Sequence, residues 1–243
     1  RVGISGGALL CRFSAEYIGS MAEMGNKMST LLLRLAGPMQ SWGTDSKFDV
    51  RRTQREPSKS GVIGLIAAAL GIPRQDQEIL HTLASLRFGI RVDREGTMIR
   101  DYHTAHPGKG SPYVTHRYYL SDAIFVAGLE SKDEELLNKI GKALQAPVFP
   151  LYLGRRSCPP TGRVFLEISP KPLEEALREN APDTSTRLVL DAKKGEQGGL
   201  IRDVPLSFDP THRKYEFRRV VTYPLHPIAE HDPMTELGEE ICT

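Results

Sequence analysis

Leu86-Arg87-Phe88-Gly89-Ile90-Arg91-Val92 alternates without a break between apolar and other residues. A period of two is the signature of a half-buried strand, with Leu86, Phe88, Ile90 and Val92 inward and Arg87 and Arg91 on the other face. Upstream, Ser29–Ala36 (STLLLRLA) is apolar enough for a central strand and closes at Gly37-Pro38. Between the two, Pro57-Ser58-Lys59-Ser60 opens the helix Gly61–Leu70, so apolar that it must be buried on most sides. Downstream, Ala123–Leu129 (AIFVAGL) is a further strand. Ser131 with Glu134 predicts a capping box before an amphipathic helix with the stripe Leu136, Leu137, Ile140 and Leu144. Val148–Leu153, with Pro150 inside it, reads as an edge strand.

The order is β-α-β, an insertion of about thirty residues between positions 92 and 123, then β-α-β. It predicts an α+β fold: a ferredoxin-like, RRM-like βαββαβ domain over residues 28–153, with helices on one sheet face and the other free to bind. Past 154, strand-like pieces at 163–169, 186–191 and 214–223 are separated by Pro-rich turns and Gly195–Gly199. They predict a smaller β-rich lobe over 154–229. Residues 1–27 read as an extension and 230–243 as an acidic tail.

The chain has 243 residues with 40% hydrophobic and 26% charged, and its longest apolar stretch, Gly61–Ile72, is too short to span a bilayer, so no membrane role is expected. Cys11, Cys158 and Cys242 lie far apart without a CxxC pair, which argues against a disulfide framework or a cysteine zinc site and suits a reducing cytoplasm. Formal charge is +2, but the tail carries −5, leaving +7 on residues 1–229; a basic body fits an anionic partner. Phosphate-loop, dinucleotide, HExxH and GxSxG motifs are missing, and the pair His103 and His106 lacks a third ligand, so neither metal nor cofactor is expected.

Positive charge gathers in runs. Lys47, Arg51, Arg52, Arg55 and Lys59 outweigh Asp49 and Glu56 to give +3 over 47–59, directly before the buried helix, whose N-terminus with Ser58 and Ser60 favours a phosphate. Taken alone, that run also fits a solvated loop with a serine cap. Residues 100–119 interleave Arg100, Lys109 and Arg117 with His103, His106, His116 and Tyr102, Tyr113, Tyr118, Tyr119. Their turn-rich centre predicts a protruding hairpin, and rings among cations suit unstacked bases, half of the tyrosines being expected as core. After position 153, Arg155-Arg156-Ser157 stands in a stretch without an acid from Ala146 to Arg163, the pattern of a phosphate clamp. His212–Arg219 (HRKYEFRR) nets +3 and reads equally as an exposed strand face.

LLLRLAGPMQSWG (31–43), PSKSGVIGLIAAALGI (57–72), RDYHT (100–104) and YLGRRSCPPTG (152–162) together resemble the CasD subunit family of type I-E CRISPR Cascade complexes, part of the RAMP superfamily. The resemblance implies a non-catalytic subunit that holds the 5′ handle of CRISPR RNA and caps the foot of the backbone. It also implies contact with the large and backbone subunits, and with target DNA through the complex. The family's hairpin thumb would be about 102–118 here. On this reading Arg51, Arg52, Lys59, Arg155 and Arg156 neutralise phosphates, helped by Ser58, Ser60 and Ser157. Arg100, Tyr102, His103, Arg117 and Tyr118 supply stacking and edge contacts, and Gln40, Ser41 and Trp42 read bases or pack beneath them. The alternative is a metal-independent endoribonuclease on repeat RNA, as in type I-C relatives, using His103, His116, Tyr102 and Lys109.

Overall fold

Leu31, Leu33 and Leu35 fall on one face of the first strand and Leu32 on the other, and all four are buried, so this strand has packing on both sides. The computed structural model describes residues 28–43, 46–47, 50–106, 111–209 and 211–225. The 1–27 extension, the acidic tail and Lys109 lie outside the described residues. The elements run β1 (Ser29–Ala36), β2 (Met39–Gln40), β3 (Ser46–Lys47), β4 (Val50–Arg51), α1 (Lys59–Leu70), α2 (Gln77–Ser85), β5 (Arg87–Arg94), β6 (Thr97–Ala105), β7 (Tyr113–Ser121) and β8 (Ile124–Ser131). They continue with α3 (Glu134–Gln145), β9 (Phe165–Ser169), α4 (Leu173–Arg178), β10 (Arg187–Asp191), β11 (Gly199–Ser207) and β12 (Lys214–Pro224). The result is a mixed α+β protein whose sheets are antiparallel but for the pairing of β4 with β7. Among the described residues no helix is long and apolar enough to cross a membrane.

A seven-stranded sheet has the order β11-β12-β10-β5-β8-β1-β9, every pairing antiparallel. On one face, Leu31, Leu33, Phe88, Ile90, Phe125 and Leu129 meet Ile63 and Ile66 of α1 and Leu137 and Ile140 of α3, all essentially inaccessible. Each such side chain stabilises the fold by about 1.5–3 kcal/mol through burial, so this layer dominates the core. The α1 run of Val62, Ile63, Leu65 and Ile66 is buried as its composition demands; Ser58 caps it by accepting from the Gly61 N–H.

Four expectations are corrected. The second sheet face is not free: α4 lies across it, with Leu173, Ala176 and Leu177 against Leu32, Val126, Leu188 and Leu190. The glycine pair Gly89 and Gly128, opposite each other in β5 and β8, makes that approach possible, since an added Cβ would stand 2.5 Å from Leu190 Cδ2 or 2.6 Å from Leu173 Cδ1. Residues 148–153 form no strand; β9 takes the edge beside β1, while the Val148 and Phe149 N–H groups donate to Ala69 and Ala68 at the end of α1. The C-terminal strands are no separate lobe, because β10 pairs with β5 and β9 with β1, which makes them part of the central sheet. The cap of α3 is Asp133, whose carboxylate accepts from Leu136, with Ser131 accepting from Asp133 in turn.

The insertion is the β6–β7 hairpin, paired from Thr97↔Ser121 to Ala105↔Tyr113 and therefore longer than 102–118. β2 and β4 flank β7, and β3 follows β4. Tyr119 is core and Tyr118 half-buried, whereas Tyr102 and Tyr113 are 67% and 47% exposed, the division expected of them.

Candidate nucleic-acid interface

Three of the four motif segments meet at the end of β1. The Thr161 N–H donates to the Ala36 carbonyl at 2.7 Å, and the Ser41 N–H to the Leu153 carbonyl at 3.1 Å. The 153–158 turn closes on itself through Leu153 N–H to the Cys158 carbonyl and Cys158 N–H to the Arg155 carbonyl. Gly154 makes the junction possible, with φ at +88° and a Cβ position that would fall 1.8 Å from the Ser41 carbonyl oxygen. The fourth segment, 100–104, lies out on β6.

Arg155 locks the junction to the hairpin. Its Nη1 donates to the Tyr118 carbonyl at 3.3 Å and its Nη2 to the Arg51 and Arg52 carbonyls at 2.9 and 3.4 Å. The guanidinium lies 4.8 Å from the centroid of the Tyr119 ring. Arg51 of β4 pairs in register with Arg117 of β7, so Arg51, Arg52, Arg117 and Arg155 come together from three separate stretches of sequence. Among the described residues none of the four, nor Arg156, has a carboxylate within 4.0 Å. The Arg117 Nε is shielded from solvent and makes no hydrogen bond there. Arginines brought together with no carboxylate within 4.0 Å, one with a dry unpaired donor, are what a phosphate would complete.

Several proposed contact residues prove to be internal. Gln40 is fully buried: its Nε2 donates to the Leu35 and Ala123 carbonyls, and its Oε1 accepts from the Trp42 indole. Trp42 is 1% exposed beneath α1, and Ser41 donates to the Tyr118 carbonyl. These three are internal and pack beneath the surface, Ser41 and Trp42 at the floor of a groove. Lys59 is 5% exposed; its ammonium pairs with Asp191 at 3.2 Å and its backbone N–H donates to Asp203. Burial holds that ammonium below the ordinary lysine range, against the opposing pull of Asp191. Arg218 completes this buried network, its guanidinium forked onto Asp203 at 2.6 and 2.9 Å and reaching Asp191 at 2.7 Å. Lys59 and Ser58 therefore fix the start of α1, their polar groups engaged within the protein. The apolar surroundings of position 59 in the fold, invisible from its local charge run, decide this.

The outward residues separate by strand face. Register puts Arg100 and Tyr102 opposite Tyr118 and His116 on one side of the hairpin, with the Tyr102 and His116 rings 5.9 Å apart and Arg100 bonded to His116. Asp101 and His103 face Arg117 and Thr115 on the other side. Arg51, Arg52, Arg156 and Ser157 are exposed and Ser60 is half-buried. Phe208, which sequence reasoning passed over, lines a groove running from Ser41 past Ser60 and Gly154, together with Arg213 and Tyr215, which it left open between basic site and exposed strand face. Their signal was the basic 212–219 run, whose Arg218 the structure spends on Asp203 and Asp191 instead.

Fold and site together define a class: an α+β protein on largely antiparallel sheets that gathers, at the root of a β-hairpin, arginines without ion-pair partners among the described residues. The family model described as CRISPR-associated protein (Cas_Cas5) matches residues 30–221, and the chain belongs to that family. It is 40% identical over 157 residues to the CRISPR system Cascade subunit CasD of Escherichia coli (strain K12), covering 57% of this chain and 70% of that protein. A crystal structure of a Cas protein aligns with TM-score 0.64 at 40% identity, over 81% of this chain and 94% of that one. A chain of a CRISPR RNA-guided surveillance complex aligns with TM-score 0.66 at 35% identity, over 80% and 89%. The resemblance carried by the four sequence motifs holds across most of the chain.

Proposed function

We propose that the chain is a non-catalytic subunit of a type I-E Cascade surveillance complex, binding the 5′ handle of the CRISPR RNA in the cytoplasm and capping the backbone. The observation that carries the reading is the arginine cluster at Arg51, Arg52, Arg117 and Arg155, with exposed Arg156 beside it and no carboxylate pairing with any of them among the described residues. Phosphates would set position there, while Arg100, Tyr102, His103 and Tyr118 on the hairpin serve stacking and edge contacts. Target sequence would be read by guide pairing and not by these side chains. The order β9-β1-β8-β5, with α1 and α3 on one face, supports a ferredoxin-like (RAMP) βαββαβ unit whose fourth strand is β9. The β6–β7 hairpin is then the thumb between the RNA and a backbone subunit.

The endoribonuclease reading needs two groups converging on one ribose. His103 and His116 lie on opposite faces of the hairpin, and His116 is engaged by Arg100, so they do not form such a pair. The test is a gel in EDTA with handle-bearing RNA, repeat RNA and a scrambled-handle control, with and without the backbone partner. Handle-dependent shift without cleavage is expected; cleavage of the repeat would overturn the non-catalytic assignment, and equal shift of the scrambled control would remove handle binding.

A further inference from the structure

β12 has two faces of opposite character. Arg218 and Val220 point toward α1, the first into the network with Asp203 and Asp191 and the second into the core. The residues between them look the other way, onto the sheet face that α4 covers over β1, β8 and β10. Farther out on that face, register sets Leu200 opposite Arg219 and Arg202 opposite Phe217, and all four side chains are exposed. Leu200 is 64% and Phe217 59% exposed, two large apolar groups on neighbouring strands. The Arg202 guanidinium stands 6.0 Å from the centroid of the Phe217 ring. Among the described residues neither Arg202 nor Arg219 has a carboxylate within 4.0 Å. An apolar pair flanked by unpaired cations calls for a cover that combines apolar side chains with acids. The chain leaves β12 on this same face: Tyr223 and Leu225 pack against the α4 cluster, and the Leu225 N–H donates to the Thr186 carbonyl. Residues 226–243 follow, with Glu230, Asp232, Glu236, Glu239 and Glu240, no Lys or Arg, and Met234, Leu237 and Ile241 set among the acids.

We propose that the C-terminal segment 226–243 turns back along β12 and covers this face, laying Met234, Leu237 and Ile241 on Leu200 and Phe217 and its glutamates against Arg202 and Arg219. The lengths agree. From Leu225 back to Phe217 the strand covers about 26 Å at its usual rise per residue. The stretch from Leu225 to Met234 reaches about 30 Å when extended, so a single return brings Met234 over Phe217. Other occupants fit less well. A nucleic acid would neutralise the arginines but leave the Leu200 side chain uncovered. A second copy meeting this face about a two-fold axis would set Arg202 and Arg219 against their own equivalents. An acidic, apolar segment of another protein has the right chemistry, but the C-terminal segment is tethered beside the face, at an effective concentration on the order of millimolar.

Amide hydrogen exchange of the full chain, read by mass spectrometry over residues 226–243, tests this. Amides of 234–241 should exchange about 5- to 100-fold more slowly than in a synthetic peptide of the same sequence. Phe217→Ser and Arg219→Gln, both at exposed positions, should each remove most of that protection. Met234→Ser with Leu237→Ser should remove it from the other side, and added salt should weaken it in the wild type. Exchange of 234–241 at the peptide's rate overturns the proposal. So does protection that survives both face variants, because the segment then sits elsewhere. With the segment exchanging freely, three further results would name the true occupant and equally overturn the proposal. Loss of co-purification with another subunit in Phe217→Ser gives the face to a partner protein. A flatter salt dependence of RNA binding in Arg219→Gln gives it to nucleic acid. A dimer in sedimentation that Phe217→Ser dissolves gives it to a second copy.

Discussion

Replacing Gly154 by alanine tests whether the junction between the 153–158 turn and Ser41 is as tight as its geometry implies. The new Cβ would stand 1.8 Å from the Ser41 carbonyl oxygen, where real Cβ contacts stay beyond 3.0 Å, so the two segments of the junction must part by more than 1 Å. That separation breaks the 3.1 Å hydrogen bond from Ser41 N–H to the Leu153 carbonyl. Alanine at φ +88° costs about 1–2 kcal/mol, the lost bond about 1 kcal/mol and the repacking about 1–3 kcal/mol. Together these give about 3–6 kcal/mol, a large fraction of a domain's stability. Gly195 supplies the control: its φ is also +88°, but nothing lies within 4 Å of its Cβ position, so Gly195→Ala should cost only the about 1–2 kcal/mol of backbone strain. Urea unfolding of both variants gives the difference directly, and RNA binding by the folded fraction should weaken for Gly154→Ala alone because Arg155 moves with the turn. Equal unfolding free energies, to within about 0.5 kcal/mol, would refute the close-approach reasoning.

Arg156→Ala should flatten the salt dependence of RNA binding by about one unit of slope per lost phosphate contact, and an unchanged slope removes Arg156 from the interface. Lys59→Gln should lower the urea midpoint with the slope unaltered, since its ammonium faces Asp191; a flatter slope would return it to the RNA. Asp203→Ala strips a carboxylate from buried Arg218 and from the Lys59 N–H and should cost about 3–5 kcal/mol in urea unfolding; a loss under about 1 kcal/mol would show the network to be dispensable. Burial pushes the Cys158 thiol above its ordinary 9.0, against the pull of Ser157 and Arg155, so the unfolded chain releases that proton first. Its stabilising contribution is complete below about pH 9 and fades as pH rises through the folded value, so the stability gap between wild type and Cys158→Ala should narrow from about pH 7 to 10. A gap that widens contradicts this sign.

Periodicity made most of the central sheet legible. β1, β5, β8, β10 and β12 stand where alternation or apolar runs put them, and α1 and α3 where a near-solid apolar block and a stripe did. β11 escaped because Pro205 and Gly199 dilute its pattern, and α2 and α4 because they are short and half polar. Pairing partners are a long-range property, and nothing local in residues 187–191 says that they dock on β5. The site divided along the same line. Exposed cations such as Arg51, Arg52 and Arg156 could be picked from a charge run, but the burial of Gln40, Trp42 and Lys59 depends on what folds over them. Arg155 shows both sides: the residue was legible, while its work as a bolt between turn and hairpin rests on carbonyls more than a hundred positions away.

The continuous seven-stranded sheet sets a timetable for biosynthesis. The outer edge of β5 is completed only by β10, and that of β10 only by β12, whose residues are among the last described ones to leave a ribosome. Arg218, which reaches back to Asp203 and Asp191 at the start of α1, arrives on the same strand. A nascent chain therefore holds open strand edges through most of its synthesis, and the groove beside Gly154 acquires Arg213 and Tyr215 only with β12. A chain whose sheet is closed is therefore one whose β12 has already been made.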